Sequence, residues 1–91
     1  MSNINELNLD NLEEVSGGRG NNPWRQAKPN VKSGTYLAIR SKTSYNESNE
    51  LGSIYNGQIF SVNTNIQENG YIWAYFNGIE GWVNASYVTF L

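Results

Sequence analysis

Tyr71-Ile72-Trp73-Ala74-Tyr75-Phe76, then Asn77-Gly78-Ile79-Glu80, then Gly81-Trp82-Val83-Asn84, is the stretch that decides the fold. Strict alternation over 71 to 76 sends Ile72, Ala74 and Phe76 to one face of an extended strand and Tyr71, Trp73 and Tyr75 to the other. Asn-Gly is a strong hairpin signal, so 77 to 80 reads as the connection to a second strand over 81 to 84. Only one face of that hairpin can line the core of so small a protein, and the aliphatic set with Phe76 suits the interior. Tyr71, Trp73 and Tyr75 then face outward, where Tyr and Trp serve as contact residues for sugar or peptide surfaces. Tyr45 and Tyr55 could extend the patch. In a second reading, the residues around Trp24 fold over the stripe and turn it into an intramolecular seam.

The same pattern continues on the N-terminal side of the hairpin. β-branched and aromatic residues alternate with polar ones over 35 to 40, 51 to 55 and 58 to 64, and a last short run over 87 to 90 follows the hairpin. Asn56-Gly57 and Asn69-Gly70 supply further turns. Five or six short strands at these intervals predict an all-β fold, a small barrel, over 35 to 91. Residues 41 to 50 form a polar loop carrying Tyr45, and Arg40 at its start is expected to pair with a Glu or support a turn. Trp82 reads as core or rim packing. Residues 19 to 34 are basic, are broken by Pro23 and Pro29, and lack a sustained period, so they read as a linker or arm. Asn46-Glu47-Ser48 and Asn84-Ala85-Ser86 match glycosylation acceptors formally and read as chance.

Composition closes off several functions. The 91 residues include no Cys and no His. That removes disulfides, thiol nucleophiles, histidine bases and nearly all zinc sites. An enzyme would need a carboxylate pair such as Glu47 with Glu50 or Glu68 with Glu80, and each of these lies in a polar loop or turn where a solvated carboxylate is the default. No enzyme, no cofactor and no metal site is therefore expected. Four acids and no base give residues 1 to 18 a charge of −4, while six bases and four acids leave the remainder at +2. A balance of +2 is too weak for a nucleic-acid footprint. No apolar run approaches the roughly 20 residues of a membrane span.

Aromatic content changes where charge does: all twelve aromatic residues lie from Trp24 onward. Before that boundary, Ile4, Leu7, Leu12 and Val15 fall within an arc of roughly 140° on a helix, at about 100° per residue. Gly17-Gly18 would stop such a helix. It is short, and Glu13 and Glu14 near its C-terminus oppose the macrodipole, so it is expected to be only conditionally helical and to fold on a partner. A plain helix C-cap with a flexible joint is the other reading of the two glycines. A Sec-type signal peptide is excluded by the lack of a basic start and of a continuous apolar stretch.

The segment Glu6-Leu7-Asn8-Leu9-Asp10-Asn11-Leu12-Glu13-Glu14-Val15-Ser16-Gly17-Gly18 resembles the double-glycine leaders of bacteriocin-type and signalling peptides. That resemblance implies recognition of Ile4, Leu7, Leu12 and Val15 by a peptidase-containing ABC transporter. It also implies cleavage after Gly18, so that the site is Gly17, Gly18 and Arg19. A narrow cleft beside the nucleophile would leave no room for a Cβ at either glycine.

Over 35 to 91 the chain resembles the bacterial SH3 (SH3b) family, carried by Leu37-Ala38-Ile39-Arg40-Ser41, Leu51-Gly52 with Gly57, Asn77-Gly78-Ile79-Glu80-Gly81-Trp82-Val83, and Tyr87-Val88. The family implies binding of cell-wall peptides or glycans. Together the two resemblances imply a precursor synthesised in the cytoplasm and secreted after leader cleavage, with parts at 1 to 18, 19 to 34 and 35 to 91. The alternative is an intracellular SH3-like interaction module whose N-terminal helix docks on a protein partner.

Overall fold

A computed structural model of the protein describes residues 22 to 91. Ile4, Leu7, Leu12 and Val15, expected as leader positions, and Gly17, Gly18 and Arg19, expected as the cleavage site, lie outside the described residues. From Asn22 onward the chain is all-β, as the alternation predicts. Its strands are β1 (Trp24–Pro29), β2 (Tyr36–Arg40), β3 (Glu50–Tyr55), β4 (Phe60–Glu68), β5 (Tyr71–Phe76), β6 (Ile79–Asn84) and β7 (Val88–Phe90). They form one antiparallel sheet in the order β3-β2-β6-β5-β4-β1-β7, curled into a half-barrel.

The core is the concave face of that curl. Ala27, Leu37, Ile39, Ile54, Phe60, Val62, Ile72, Ala74 and Val83 are buried together there. Ile72 and Ala74 face it as alternation requires. Phe76 is only half-buried, packed against the cluster from its end. The hairpin connection is tighter than the sequence reading, because Asn77 at φ 55° and Gly78 at φ 86° form a two-residue turn and β6 already begins at Ile79. Left-handed dihedrals at both positions match the twist of the flanking strands, and Asn with Gly is the pair that tolerates them.

Residues 24 to 29 are not a linker. They form β1, which pairs with β4 from Trp24 opposite Asn63 to Ala27 opposite Phe60, and with β7 from Ala27 opposite Phe90 to Pro29 opposite Val88. The two prolines sit where a strand can accept them: Pro23 just before it begins, with its carbonyl accepting from Thr64 N at 2.8 Å, and Pro29 as its last residue. Residues 30 to 35 connect β1 to β2, fastened by Asn56, whose Nδ2 donates to Val31 O at 2.8 Å while Val31 N donates to Asn56 Oδ1 at 3.3 Å.

Both Asn-x-Ser sequences have structural work. Asn46 and Asn84 each cap a short 3₁₀ turn, Glu47–Asn49 and Ala85–Tyr87, by accepting the backbone N–H of Ser48 and of Ser86 at 2.9 Å.

Candidate functional site

β2 and β6 share one paired position, Arg40 opposite Trp82, and part beyond it. The cleft left between them on the convex face is a groove of about 470 Å³. Tyr36, Ala38 and Arg40 line it from β2, Tyr71 and Asn84 from β5 and β6, Tyr45 from the loop after β2, and Tyr87 from the second 3₁₀ turn. Val31 and Lys32 line it as well. Four tyrosines from four separate places in the chain thus meet at one groove. Their rings offer flat apolar surface and their hydroxyls offer hydrogen bonds, the combination that suits an extended polar ligand.

Arg40 builds one wall. Its side chain is buried, and Nη1 donates to Asn46 O at 2.9 Å and to Asn49 Oδ1 at 3.1 Å, with Glu50 Oε2 at 3.7 Å. Its guanidinium carbon sits 4.5 Å from the centroid of the Tyr45 ring. A buried charge needs such partners. Here the partners are the loop itself, so Arg40 both pairs with a Glu and supports a turn. Asn49 Nδ2 donates to Ser44 O at 3.0 Å, and Asn69 Nδ2 ties Thr43 O from across the sheet at 2.9 Å. The loop that presents Tyr45 is therefore held at several points, although the Tyr45 ring itself is 74% exposed.

Tyr36 donates its hydroxyl to Glu50 Oε1 at 2.7 Å and packs against Tyr55 at 5.7 Å between ring centroids. The hydrogen bond to that carboxylate, and its negative charge, hold the Tyr36 phenol above the usual tyrosine value. A raised folded value favours the neutral phenol, so this contribution is complete below the ordinary phenol range near pH ~10 and is lost as pH rises through the folded value. In an alkaline titration, Tyr36 is expected to ionise later than an unperturbed phenol, and Glu50→Gln to bring it earlier. NMR of the ring carbons measures both; a Tyr36 that titrates at the ordinary value would contradict the assignment.

The proposed stripe of outward aromatics does not exist as one surface. Tyr71 is buried at 9% exposure and contributes to the groove wall. Trp73 is half-buried, edge-on to Trp82 at 5.2 Å, with Nε1 donating to Glu80 Oε1 at 2.9 Å. Tyr75 alone is well exposed, at 44%. Alternation placed all three on the right face, but the curl and the loops at one end of the sheet divide that face. β1 does not fold across the stripe: it joins the sheet on the far side of β4 from β5, in register with Asn63 at Trp24, and Trp24 and Tyr75 line one shallow depression.

Of the five candidate residues, the structure brings Tyr45 and Tyr71 to the groove, sets Tyr55 at its margin through Tyr36, and leaves Trp73 and Tyr75 on a separate patch. Tyr36 and Tyr87 were not among the candidates. Their signals were the alternation Tyr36-x-Ala38-x-Arg40 and the Asn cap that starts the turn ending at Tyr87.

Among the described residues no group of three or more acidic side chains is gathered for a metal, and no helix is long and apolar enough to cross a membrane. Comparison with known protein families, with curated proteins and with solved structures finds no match to this chain.

Proposed function

We propose that this chain is an exported binding protein: a leader over residues 1 to 18, cut after Gly18 by a peptidase-containing ABC transporter, followed by an SH3b-like module that holds a cell-wall peptide or glycan in the tyrosine groove. The observation that carries the binding reading is the convergence of Tyr36, Tyr45, Tyr71 and Tyr87 on one groove whose loop wall is fixed by Arg40. Rings pre-set by the fold lose little freedom on binding, which is how a small site reaches useful affinity. The export reading rests on the apolar spacing and the double glycine of residues 4 to 18.

Two experiments test the two halves. Tyr45→Ala and Tyr87→Ala are each expected to lower retention on purified bacterial cell wall by about tenfold, a loss of roughly 1.4 kcal/mol. Both side chains are exposed, so the melting temperature should stay within a few degrees. Unchanged retention in both variants would refute the groove as the site. For export, mass spectrometry of the culture medium is expected to find a chain beginning at Arg19; a secreted chain beginning at Met1, or a chain found only inside the cell, would refute the leader.

A further inference from the structure

A second site lies on the convex face and shares no lining residue with the tyrosine groove. Trp24, Ser61, Tyr75 and Glu80 surround a shallow depression of about 240 Å³. The register explains its shape. Ser61 on β4 stands opposite Gln26 on β1 and opposite Tyr75 on β5, and Tyr75 stands opposite Glu80 on β6. β1 and β5 flank β4, so their backbones are about 10 Å apart, twice the interstrand spacing of about 4.8 Å. Ser61 is the small residue between them and leaves the space above β4 open. Trp24 and Tyr75 are 40% and 44% exposed, so both rings present surface to that space.

Charge identifies what belongs there. Glu80 Oε1 accepts the Trp73 indole N–H at 2.9 Å, which steadies the carboxylate and leaves its second oxygen without a hydrogen bond to the described residues. The one ion pair among the described residues joins Arg40 to Glu50, so no Lys or Arg of the described residues lies within salt-bridge distance of the Glu80 carboxylate. A carboxylate beside two exposed aromatic faces attracts an organic cation through both the charge and the ring quadrupoles. A single carboxylate is a poor metal site, since hard cations need several oxygen ligands. Within organic cations, a planar guanidinium is favoured over an ammonium, because it stacks on aromatic faces and presents paired N–H donors to a carboxylate.

We infer that Trp24, Tyr75 and Glu80 form a receptor for the arginine side chain of a peptide partner, with Ser61 as its floor. The inference does not depend on the groove's ligand or on export. The direct test uses the full chain at low ionic strength, titrated with Nα-acetyl-arginine amide and, in parallel, with the citrulline analogue, which has nearly the same shape and no charge. In ¹H–¹⁵N spectra the arginine probe is expected to shift the Trp24 indole N–H and the amides of Ser61, Tyr75 and Glu80 saturably. Citrulline should bind about tenfold more weakly, since it forfeits both the cation–π and the charge contribution. Glu80→Gln keeps an oxygen to accept the Trp73 N–H and should weaken arginine binding about three- to fivefold. Trp24→Ala should weaken it by a similar factor; if that variant fails to fold, Tyr75→Ala reads the same contact from the other side. Equal binding of the two probes, no saturable shift, or shifts confined to Tyr36, Tyr45 and Tyr87 would each overturn the assignment.

Discussion

Ile54→Ala is expected to destabilise the protein by about 2 to 5 kcal/mol, the range for truncating a fully buried aliphatic side chain. Ile54 lies on β3, an outermost strand of the sheet, yet it has no exposure to solvent. It pairs with Leu37 across the ladder and belongs to the same buried cluster as Ile39, Phe60 and Val83. An edge strand has a neighbour on one side only, so the apolar contacts of its inward residues are what hold it to the sheet, and the cavity left by alanine weakens that attachment directly. Phe76→Ala, which the alternation of 71 to 76 would rank as equally severe, is expected to cost about half the ~3 to 5 kcal/mol of a buried Phe, because the ring closes the core from its end and keeps one side in solvent. Denaturant unfolding of the two variants measures the order. A larger loss for Phe76→Ala would mean that the core extends further toward the Asn77-Gly78 turn than the burial of these side chains implies.

Gly81→Ala is the second large effect, and it acts by addition. A Cβ at position 81 would lie 2.7 Å from Arg40 O and 2.8 Å from Ile39 Cγ2. The carbonyl is backbone, and it cannot retreat without separating β2 from β6 at the only position where they pair. The expected loss is about 2 to 3 kcal/mol, the upper part of the range for overpacking. Arg40 would move with its carbonyl, so the loop that presents Tyr45 should loosen and binding in the groove should fall as well. Gly52→Ala supplies the control. Its added Cβ meets Ile79 Cδ1 at 2.8 Å, the free end of a half-buried side chain that can rotate away, so the loss should stay below about 1 kcal/mol. Similar losses at the two glycines, measured by thermal unfolding, would show that β2 yields more readily than a paired backbone should.

The residues behind these two expectations differ in how far the sequence alone reveals their role. The hairpin from Tyr71 to Asn84 declares itself because period-two alternation and an Asn-Gly turn agree, and neither depends on distant residues. Gly81 reads as part of a family-like string, but its physical reason, the carbonyl of Arg40, is visible only once β2 is laid against β6. β1 escapes sequence reading for a different cause. It is bounded by two prolines, it carries Arg25, Gln26 and Lys28, and its main inward contribution is the small side chain of Ala27. Its strand character comes from pairing with β4 and β7 rather than from local preference, and such tertiary effects override propensity. Arg25 even faces the inner side of the ladder, at the open end, where its guanidinium carbon sits 4.6 Å from the Phe90 ring.

The candidate site was half legible for a related reason. Alternation assigns faces correctly but says nothing about how a curled face is divided by its loops. Tyr71 and Trp73 alternate perfectly, yet Tyr71 borders the groove and Trp73 leans on Trp82. Tyr45 could be singled out as an aromatic in a polar loop, whereas Tyr36 and Tyr87 gain their meaning only from the parting of β2 and β6. Ile4, Leu7, Leu12 and Val15 follow a helical period in the sequence, and reading them as leader positions rests on that pattern and on Gly17-Gly18.

Binding of the ligand in the tyrosine groove can be followed by ¹H–¹⁵N chemical-shift mapping as soluble cell-wall fragments are added to the labelled protein. Saturable shifts are expected at Val31, Lys32, Tyr36, Tyr45, Tyr71 and Tyr87, with the backbone of β4 little affected. Shifts centred instead on Trp73 and Trp82, or none at any concentration of wall peptide and glycan fragments, would contradict binding in the groove.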